Sequence, residues 1–97
     1  MATYISLSSF TDQGIKTIKE SPKRAEAVKA AAKKFGCEMT HIYWTLGQYD
    51  IVAIIEASDE KSATAFALAV GAQGFVRGNT LRAFSGKEIG EIVGKLG

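Results

Sequence analysis

The sequence predicts an α+β domain with the element order β-α-β-β-α-β and a short C-terminal helix. Several stretches alternate between apolar and polar residues, as strands do, and others carry the three- and four-residue apolar spacing of helices. A glycine-containing turn joins the two strands in the middle of the chain. The composition, 46% apolar and 23% charged, is typical of a globular protein, and 97 residues predict one domain over 1–97.

The first strand is predicted over residues 3–10, where the alternation is regular. The two sets on its opposite faces are Ile5 with Leu7, and Tyr4 with Ser6 and Ser8. Such a pattern indicates that one face of the strand is buried and that the other is accessible.

Helix-terminus signals follow the first strand. Thr11 or Asp12 can cap a short helical turn. Ser21 is predicted to be the N-cap of a longer helix, with Pro22 at the first helical position. Gly36 ends that helix in the left-handed conformation that glycine adopts readily.

The central hairpin is predicted over residues 37–46 and 49–57. If Gly47 and Gln48 form a two-residue type II′ turn, the turn fixes the register. The expected partners are Trp44 with Ile51, Tyr43 with Val52, and His41 with Ile54. One face then carries Ile42, Trp44, Ile51, Ala53 and Ile55, and the other carries Met39, His41, Tyr43, Thr45, Asp50, Val52, Ile54 and Glu56. We expect the first face to be core and the second to carry the function.

Three elements are predicted in the C-terminal part. Ser58 or Asp59 caps a helix, and residues 75–84 form a fourth strand with a bulge or an edge position, because Gly78 interrupts it. Ser85 and Glu88 form a capping box that opens the last helix. This helix repeats glycine at positions 86, 90 and 94, which indicates close packing on the sheet or a helix that orders only against a partner. Close packing is favoured.

The whole order is the ferredoxin-like pattern, a four-stranded antiparallel sheet with both main helices on one face. The face expected to stay uncovered carries Tyr4, Ser6, Ser8, His41, Tyr43, Val52 and Ile54. A contiguous apolar patch of this kind is normally covered in a soluble protein. The sequence therefore predicts a homodimer, or a larger oligomer of dimers, whose stacked sheets enclose a cavity.

The turn Gly47-Gln48-Tyr49-Asp50 resembles the signature of the GYD domain family. Four further blocks are similar to it in order: residues 4–7, 10–14, 21–24 and 80–84. The resemblance covers about residues 3–85 and implies a dimeric α/β barrel. It carries no established catalytic residue. The chain departs from the pattern at Gln48, between the Gly and the Tyr-Asp pair, and at Asn79, within the fourth strand.

The candidate ligand contacts are Ser6, Ser8, His41, Tyr43, Asp50 and Arg82. We expect them to bind a small organic ligand between the two sheets of a non-enzymatic binding module. The alternative is a cofactor-independent oxygenase or isomerase, with His41 as base, Tyr43 as hydrogen-bond donor and Arg82 as anion clamp. A structural role stays open for His41, and Arg82 can equally be a solvated residue at the sheet edge. Asp50 can instead bond turn amides or pair with an arginine.

The sequence does not indicate a metal site, a cofactor site or a nucleophilic cysteine. His41 is the only histidine and Cys37 the only cysteine, so no metal site is expected, and no cofactor motif occurs. Cys37 also lacks an activating neighbour in sequence, which argues against nucleophilic catalysis.

The charge distribution bears on partners and location. Residues 16–34 contain seven lysines or arginines and two glutamates, a net charge of +5, whereas the whole chain has +2. A solvated helix face is favoured over a nucleic-acid interface, because no nucleic-acid motif accompanies the basic residues. We expect no membrane partner and a cytoplasmic location, since the chain has neither an export segment nor an apolar run of about 18 residues.

Overall fold

A computed structural model describes all residues from 1 to 97. The strands are β1 (Ala2–Phe10), β2 (Cys37–Trp44), β3 (Ile51–Ala57) and β4 (Val76–Ala83). The helices are α1 (Asp12–Lys16), α2 (Ser21–Ala32), α3 (Glu60–Ala72) and α4 (Gly86–Gly94), with 3-10 turns at Ile18–Glu20 and Lys33–Phe35. The predicted α+β order is therefore confirmed. Every helix is too short or too polar to cross a lipid bilayer.

The four strands form one antiparallel sheet in the order β2-β3-β1-β4. Strand β4 lies at an edge, as expected. It pairs with β1 without interruption from Val76 to Ala83, so the alternative of a bulge in this strand is not realised.

The hairpin register was predicted correctly, but its turn was not. Trp44 pairs with Ile51 and Tyr43 with Val52, and these partners are confirmed. Strand pairing ends there, so the connection covers residues 45–50 and is not a two-residue turn. The hydroxyl of Thr45 donates to the carbonyl of Tyr49 at 2.6 Å and stabilises this longer loop. Gly47, with φ of +125°, adopts a conformation that favours glycine.

A β-bulge interrupts β2 at Thr40, where the register shifts between Met39 and His41. The hydroxyl of Thr40 donates to the carbonyl of Ile54 at 3.2 Å. Because the extra residue inverts the alternation, Met39 faces the helices and is only 4% exposed. The prediction that Met39 lies on the uncovered face is wrong for this reason.

The core lies between the sheet and the helices α2 and α3. It contains Tyr4, Ala32, Cys37, Met39, Ala53, Ile55, Ala57, Ala63 and Phe66. Phe35 adds a tilted ring contact to Phe66, with the ring centroids 6.0 Å apart. Only 12 of 97 residues are buried, so much apolar surface remains in contact with solvent.

Strand β1 faces the opposite way from the prediction. Tyr4 pairs with the core residue Ile55 and Ser6 with the core residue Ala53, so this side of β1 faces the helices. Tyr4, Ser6 and Ser8 do not lie on the uncovered face, and that prediction is wrong. The uncovered surface, here called the open face, carries Ile5, Leu7, His41, Tyr43, Val52, Ile54 and Leu81. Alternation separated the two sets of β1 correctly but did not indicate which set points inward.

The helix caps mostly follow the sequence. Thr11 caps α1 by accepting a hydrogen bond from the amide of Gly14 at 3.1 Å, and Asp59 caps α3. Ser21 is not an N-cap, because the chain is already helical there. Its hydroxyl accepts a hydrogen bond from the indole nitrogen of Trp44 at 3.0 Å, which ties α2 to β2.

Helix α4 has no buried residue in this chain. Its apolar side chains Ile89, Ile92 and Val93 are exposed, as is Leu96, which follows the helix. A Cβ added at Gly86, Gly90 or Gly94 would meet no atom within 4 Å, so the preferred interpretation of close packing on the sheet is wrong for the single chain. The helix is held at its start by the capping box and by an ion pair between Arg82 and Glu88 at 3.3 Å.

Acid is expected to loosen the start of α4. The amide of Ser85 donates to the carboxylate of Glu88 and, with a smaller contribution from Arg82, holds the pKa of Glu88 below its ordinary value. A lowered folded-state pKa stabilises α4 above the unfolded pKa, and the stabilisation is lost as pH falls through the lower pKa of the folded state. Amide chemical shifts of α4 followed by NMR from pH 6 to pH 3 measure this. In Glu88→Gln the same shifts should lose this pH dependence; an identical transition in that variant would contradict the assignment.

Candidate functional site

A cavity of about 140 Å³ lies between the sheet and the helices α2 and α3 of the single chain. It is lined by 23 residues, of which 15 are apolar, so it suits a largely apolar molecule. Its size is close to that of a cavity of roughly 150 Å³ that binds benzene in another protein. The sequence predicted the ligand on the other side of the sheet, between two copies of the chain.

One wall of the cavity is polar. Ser6 and Ser8 contribute hydroxyls that lie 3.3 Å apart on β1, and Ser21 contributes a third from α2. Gly78 faces these serines from β4, where an added Cβ would lie 2.9 Å from the hydroxyl oxygen of Ser8. The glycine therefore keeps space free beside the serine hydroxyls.

The hydroxyl of Tyr4 has no hydrogen-bond partner although it is buried. Tyr4 is 7% exposed and lines the cavity. A buried polar group without a partner costs about 1–3 kcal/mol, and such groups are rare in native proteins. An acceptor on a bound molecule would remove this cost.

Arg24 also lines the cavity, and its side chain is held in place from several sides. Its guanidinium donates to the carbonyl and the hydroxyl of Thr17 at 3.1 and 3.0 Å, and to the carbonyl of Gly14 at 3.3 Å. It also stacks over the ring of Phe75, 4.3 Å from the centroid. The position of this cation is therefore fixed before any ligand binds.

A second, more open cavity of about 330 Å³ lies beside α3 and β4 and shares Tyr4 with the first. Arg82 lines it, because Arg82 pairs with Tyr4 and so lies on the helix side of the sheet. Its guanidinium carbon lies 5.7 Å from the centroid of the Tyr4 ring and 4.4 Å from that of Phe84, and it pairs with Glu88.

His41 and Tyr43 lie together on the open face, as predicted. Their rings are stacked with centroids 6.3 Å apart, and Tyr43 is 56% exposed. Neither residue lines either cavity described above. The three residues of the proposed catalytic combination do not come together in the single chain, because Arg82 lies on the opposite side of the sheet.

Asp50 joins strand ends. Its carboxylate accepts a hydrogen bond from the amide of Phe10 at 2.9 Å, and its own amide donates to the carbonyl of Ser8 at 2.8 Å. Of the alternatives left open for this residue, the structure shows bonding to a backbone amide, although that amide belongs to β1. The six predicted site residues therefore divide among four places and do not form one site.

Cys37 is buried and donates weakly to the carbonyl of Phe35 at 3.7 Å. Burial raises the pKa of its thiol, and the negative charge of Asp59 adds to the effect. The thiol therefore stays protonated and a poor nucleophile.

Sequence reasoning missed the roles of Tyr4 and Arg24 in the cavity. The signal for Arg24 is a helical spacing along α2: Ser21, Arg24, Ala25 and Val28 all line the cavity. These positions follow the spacing of one helix face. The polar residues at its start were assigned to capping and to charge, so this face was not recognised as a wall.

The family model described as GYD domain matches residues 4–93 of this chain. A protein of Thermus thermophilus, named glutamine synthetase and cystathionine beta-lyase binding protein, is 31% identical over 97 residues, which are 99% of each chain. A crystal structure of a protein from Thermus thermophilus has a similar fold, with a TM-score of 0.55 and 22% identity over 88% of this chain and 95% of that one. The resemblance inferred from the Gly-Gln-Tyr-Asp turn and its flanking blocks is thereby confirmed: the chain belongs to the GYD domain family.

Proposed function

We propose that this protein is a non-enzymatic binding protein that holds a small organic molecule in the cavity between its sheet and helices, and that it acts as a homodimer. The ligand proposal is carried by Tyr4, which lines the cavity and whose buried hydroxyl has no hydrogen-bond partner. A ligand with a hydrogen-bond acceptor and an apolar body fits both the hydroxyl and the walls.

The lining of the cavity favours binding over catalysis. It contains serines, a threonine, a glutamine, a tyrosine and an arginine, but no histidine, aspartate or glutamate. These missing types are the common general acids and bases of enzymes. The one histidine, His41, lies on the open face, away from this cavity.

The homodimer is supported by the open face. Ile5, Leu7, Val52 and Ile54 are only half-buried in the single chain, and Tyr43 is mostly exposed. They lie side by side on paired strands and form a contiguous apolar surface. A second copy stacked on this face would remove it from water, and a twofold axis would place the same patch on both sides.

A second candidate function is binding to other proteins. It is favoured by the relative from Thermus thermophilus, whose name describes binding to glutamine synthetase and cystathionine beta-lyase. The match spans almost the full length of both chains, so it is not confined to one segment. Ligand binding inside and protein binding outside are compatible in one molecule.

The ligand proposal is tested by titrating ¹⁵N-labelled protein with benzamide, a neutral single-ring molecule with an acceptor oxygen. We expect chemical-shift changes at Ser6, Ser8 and Ala53, which line the cavity, and none at His41. Ala53→Leu is the matched blocking variant, because the added carbons enter the cavity from the middle of the sheet. Shifts in the wild type that persist unchanged in Ala53→Leu would place the probe elsewhere and refute the site.

Tyr4→Phe separates stability from binding. Since the hydroxyl is unpaired without ligand, its removal should leave the melting temperature unchanged or raise it. The affinity for benzamide should fall by roughly 3- to 10-fold, because the ligand loses one hydrogen bond. Calorimetric unfolding and the NMR titration measure the two effects. A variant that melts lower and binds normally would show that the hydroxyl has a structural partner.

A further inference from the structure

We infer that the ligand of this cavity is a small carboxylic acid, whose carboxylate is bound by the guanidinium of Arg24. The inference rests on the proposed binding function and specifies the class of ligand. The cavity carries the positive charge of Arg24, which has no counterion within the chain.

The hydrogen bonds of Arg24 leave part of its guanidinium free. A guanidinium has five N–H groups. The three bonds that Arg24 makes go to neutral oxygens of Thr17 and Gly14 and use three of these groups. At least two N–H groups therefore remain without a protein acceptor, on a side chain that is already held in position.

The charge of Arg24 is also uncompensated, in contrast to that of Arg82. Arg82 forms the single ion pair of the structure, with Glu88. Arg24 has no carboxylate within ion-pair distance, and no acidic residue lines its cavity. A half-buried cation without a counterion is costly, so an anion that enters this cavity is stabilised there.

The geometry favours a carboxylate among small anions. Two N–H groups of a planar guanidinium match the two oxygens of a carboxylate. Ser21 lies one helical turn before Arg24, and its oxygen already accepts from Trp44, so its own proton is free to donate. Because the remaining walls are mostly apolar, the rest of the ligand is a small aromatic or aliphatic group.

The test compares benzoate with benzamide, which have the same shape but differ in charge at pH 7. Wild-type protein should bind benzoate at least about tenfold more tightly, the effect of a charge-assisted hydrogen bond. Arg24→Gln should reduce this preference to within about twofold. Lys29→Gln removes one positive charge from an exposed position of the same helix and should keep the preference.

The outcomes separate this inference from the proposed function. Equal binding of both probes by the wild type overturns the carboxylate inference and leaves the cavity as a ligand site. Binding of neither probe overturns both. If Arg24→Gln does not fold, the wild-type ratio and the charge-conserving Arg24→Lys still decide. A wild-type preference below about tenfold, one that persists in full in Arg24→Gln or Arg24→Lys, or one that Lys29→Gln abolishes refutes the role of Arg24.

Discussion

Val52→Asp is expected to convert the proposed dimer into a monomer at micromolar concentration. Val52 lies in the middle of the open face, between Leu7 on β1 and Tyr43 on β2. Burial of the remaining surface of each half-buried side chain contributes on the order of 1 kcal/mol, and the twofold axis doubles the sum. An aspartate in this contact has no partner charge, so we expect the dissociation constant to rise by a factor of about 100 or more.

Sedimentation equilibrium at equal protein concentrations measures the effect. Ile54→Lys should act in the same way, because Ile54 lies beside Ile5 and His41 on the open face. Lys29→Gln, on the exposed side of α2, should leave the mass unchanged. A wild-type protein that sediments as a monomer at these concentrations would refute the dimer.

Gly14→Ala is expected to destabilise the fold by roughly 2–4 kcal/mol. Gly14 is buried in α1, and an added Cβ would overlap the carbonyl oxygen of Phe75 and lie 3.3 Å from the ring of Phe10. The carbonyl of Phe75 is also fixed, since it accepts from the amide of Thr11 at 3.1 Å. The added methyl group therefore forces α1 away from the start of β4.

Thermal unfolding measures this change, and the melting temperature should fall by roughly 10 °C or more. Gly90→Ala is the matched control, because its added Cβ meets no atom within 4 Å. In a helix interior this substitution should stabilise α4 by about 0.5–1 kcal/mol. If the two variants melt alike, the close approach of Gly14 to Phe75 has no energetic importance.

The sequence predicted the elements and much of the pairing because these depend on local signals. Gly36 marked the end of the first long helical segment, and the Ser85–Glu88 capping box marked the start of α4. The hairpin register was derived from the position of the Gly47-Gln48 turn, and the longer connection over residues 45–50 has the same centre, so Tyr43 still pairs with Val52. Each of these features involves residues close together in the chain, where propensity and spacing act directly.

The location of the candidate site depended on information that alternation does not contain. Ile5 and Leu7 are more apolar than Ser6 and Ser8, so hydrophobicity alone assigns them to the core. In the structure Ile5 and Leu7 lie on the open face, and Ser6 and Ser8 lie on the helix side. Because this sheet has apolar groups on both faces, hydrophobicity does not distinguish the face that the helices cover from the other one. The serines then line a cavity inside the domain, a place that only the packing of the helices over the sheet reveals.

The predicted role of the last helix failed for a related reason. Gly86, Gly90 and Gly94 indicated a close contact, but the contact depends on the path of the chain after β4. That path holds α4 near Arg82 at the sheet edge and leaves its apolar side chains exposed. The spacing of residues shows which of them share a helix face, but it does not show which other element packs against that face.

The bulge at Thr40 divides β2 into a part that packs into the core and a part that lies on the open face. Before it, Cys37 and Met39 pack into the core, so substitutions there act on the folding equilibrium of each chain. After it, His41 and Tyr43 point to the open face, so in the proposed dimer substitutions there act on association and scarcely on folding. If that dimer forms, the stability of the folded chain and its affinity for a second copy can be changed independently by substitutions on the two sides of Thr40.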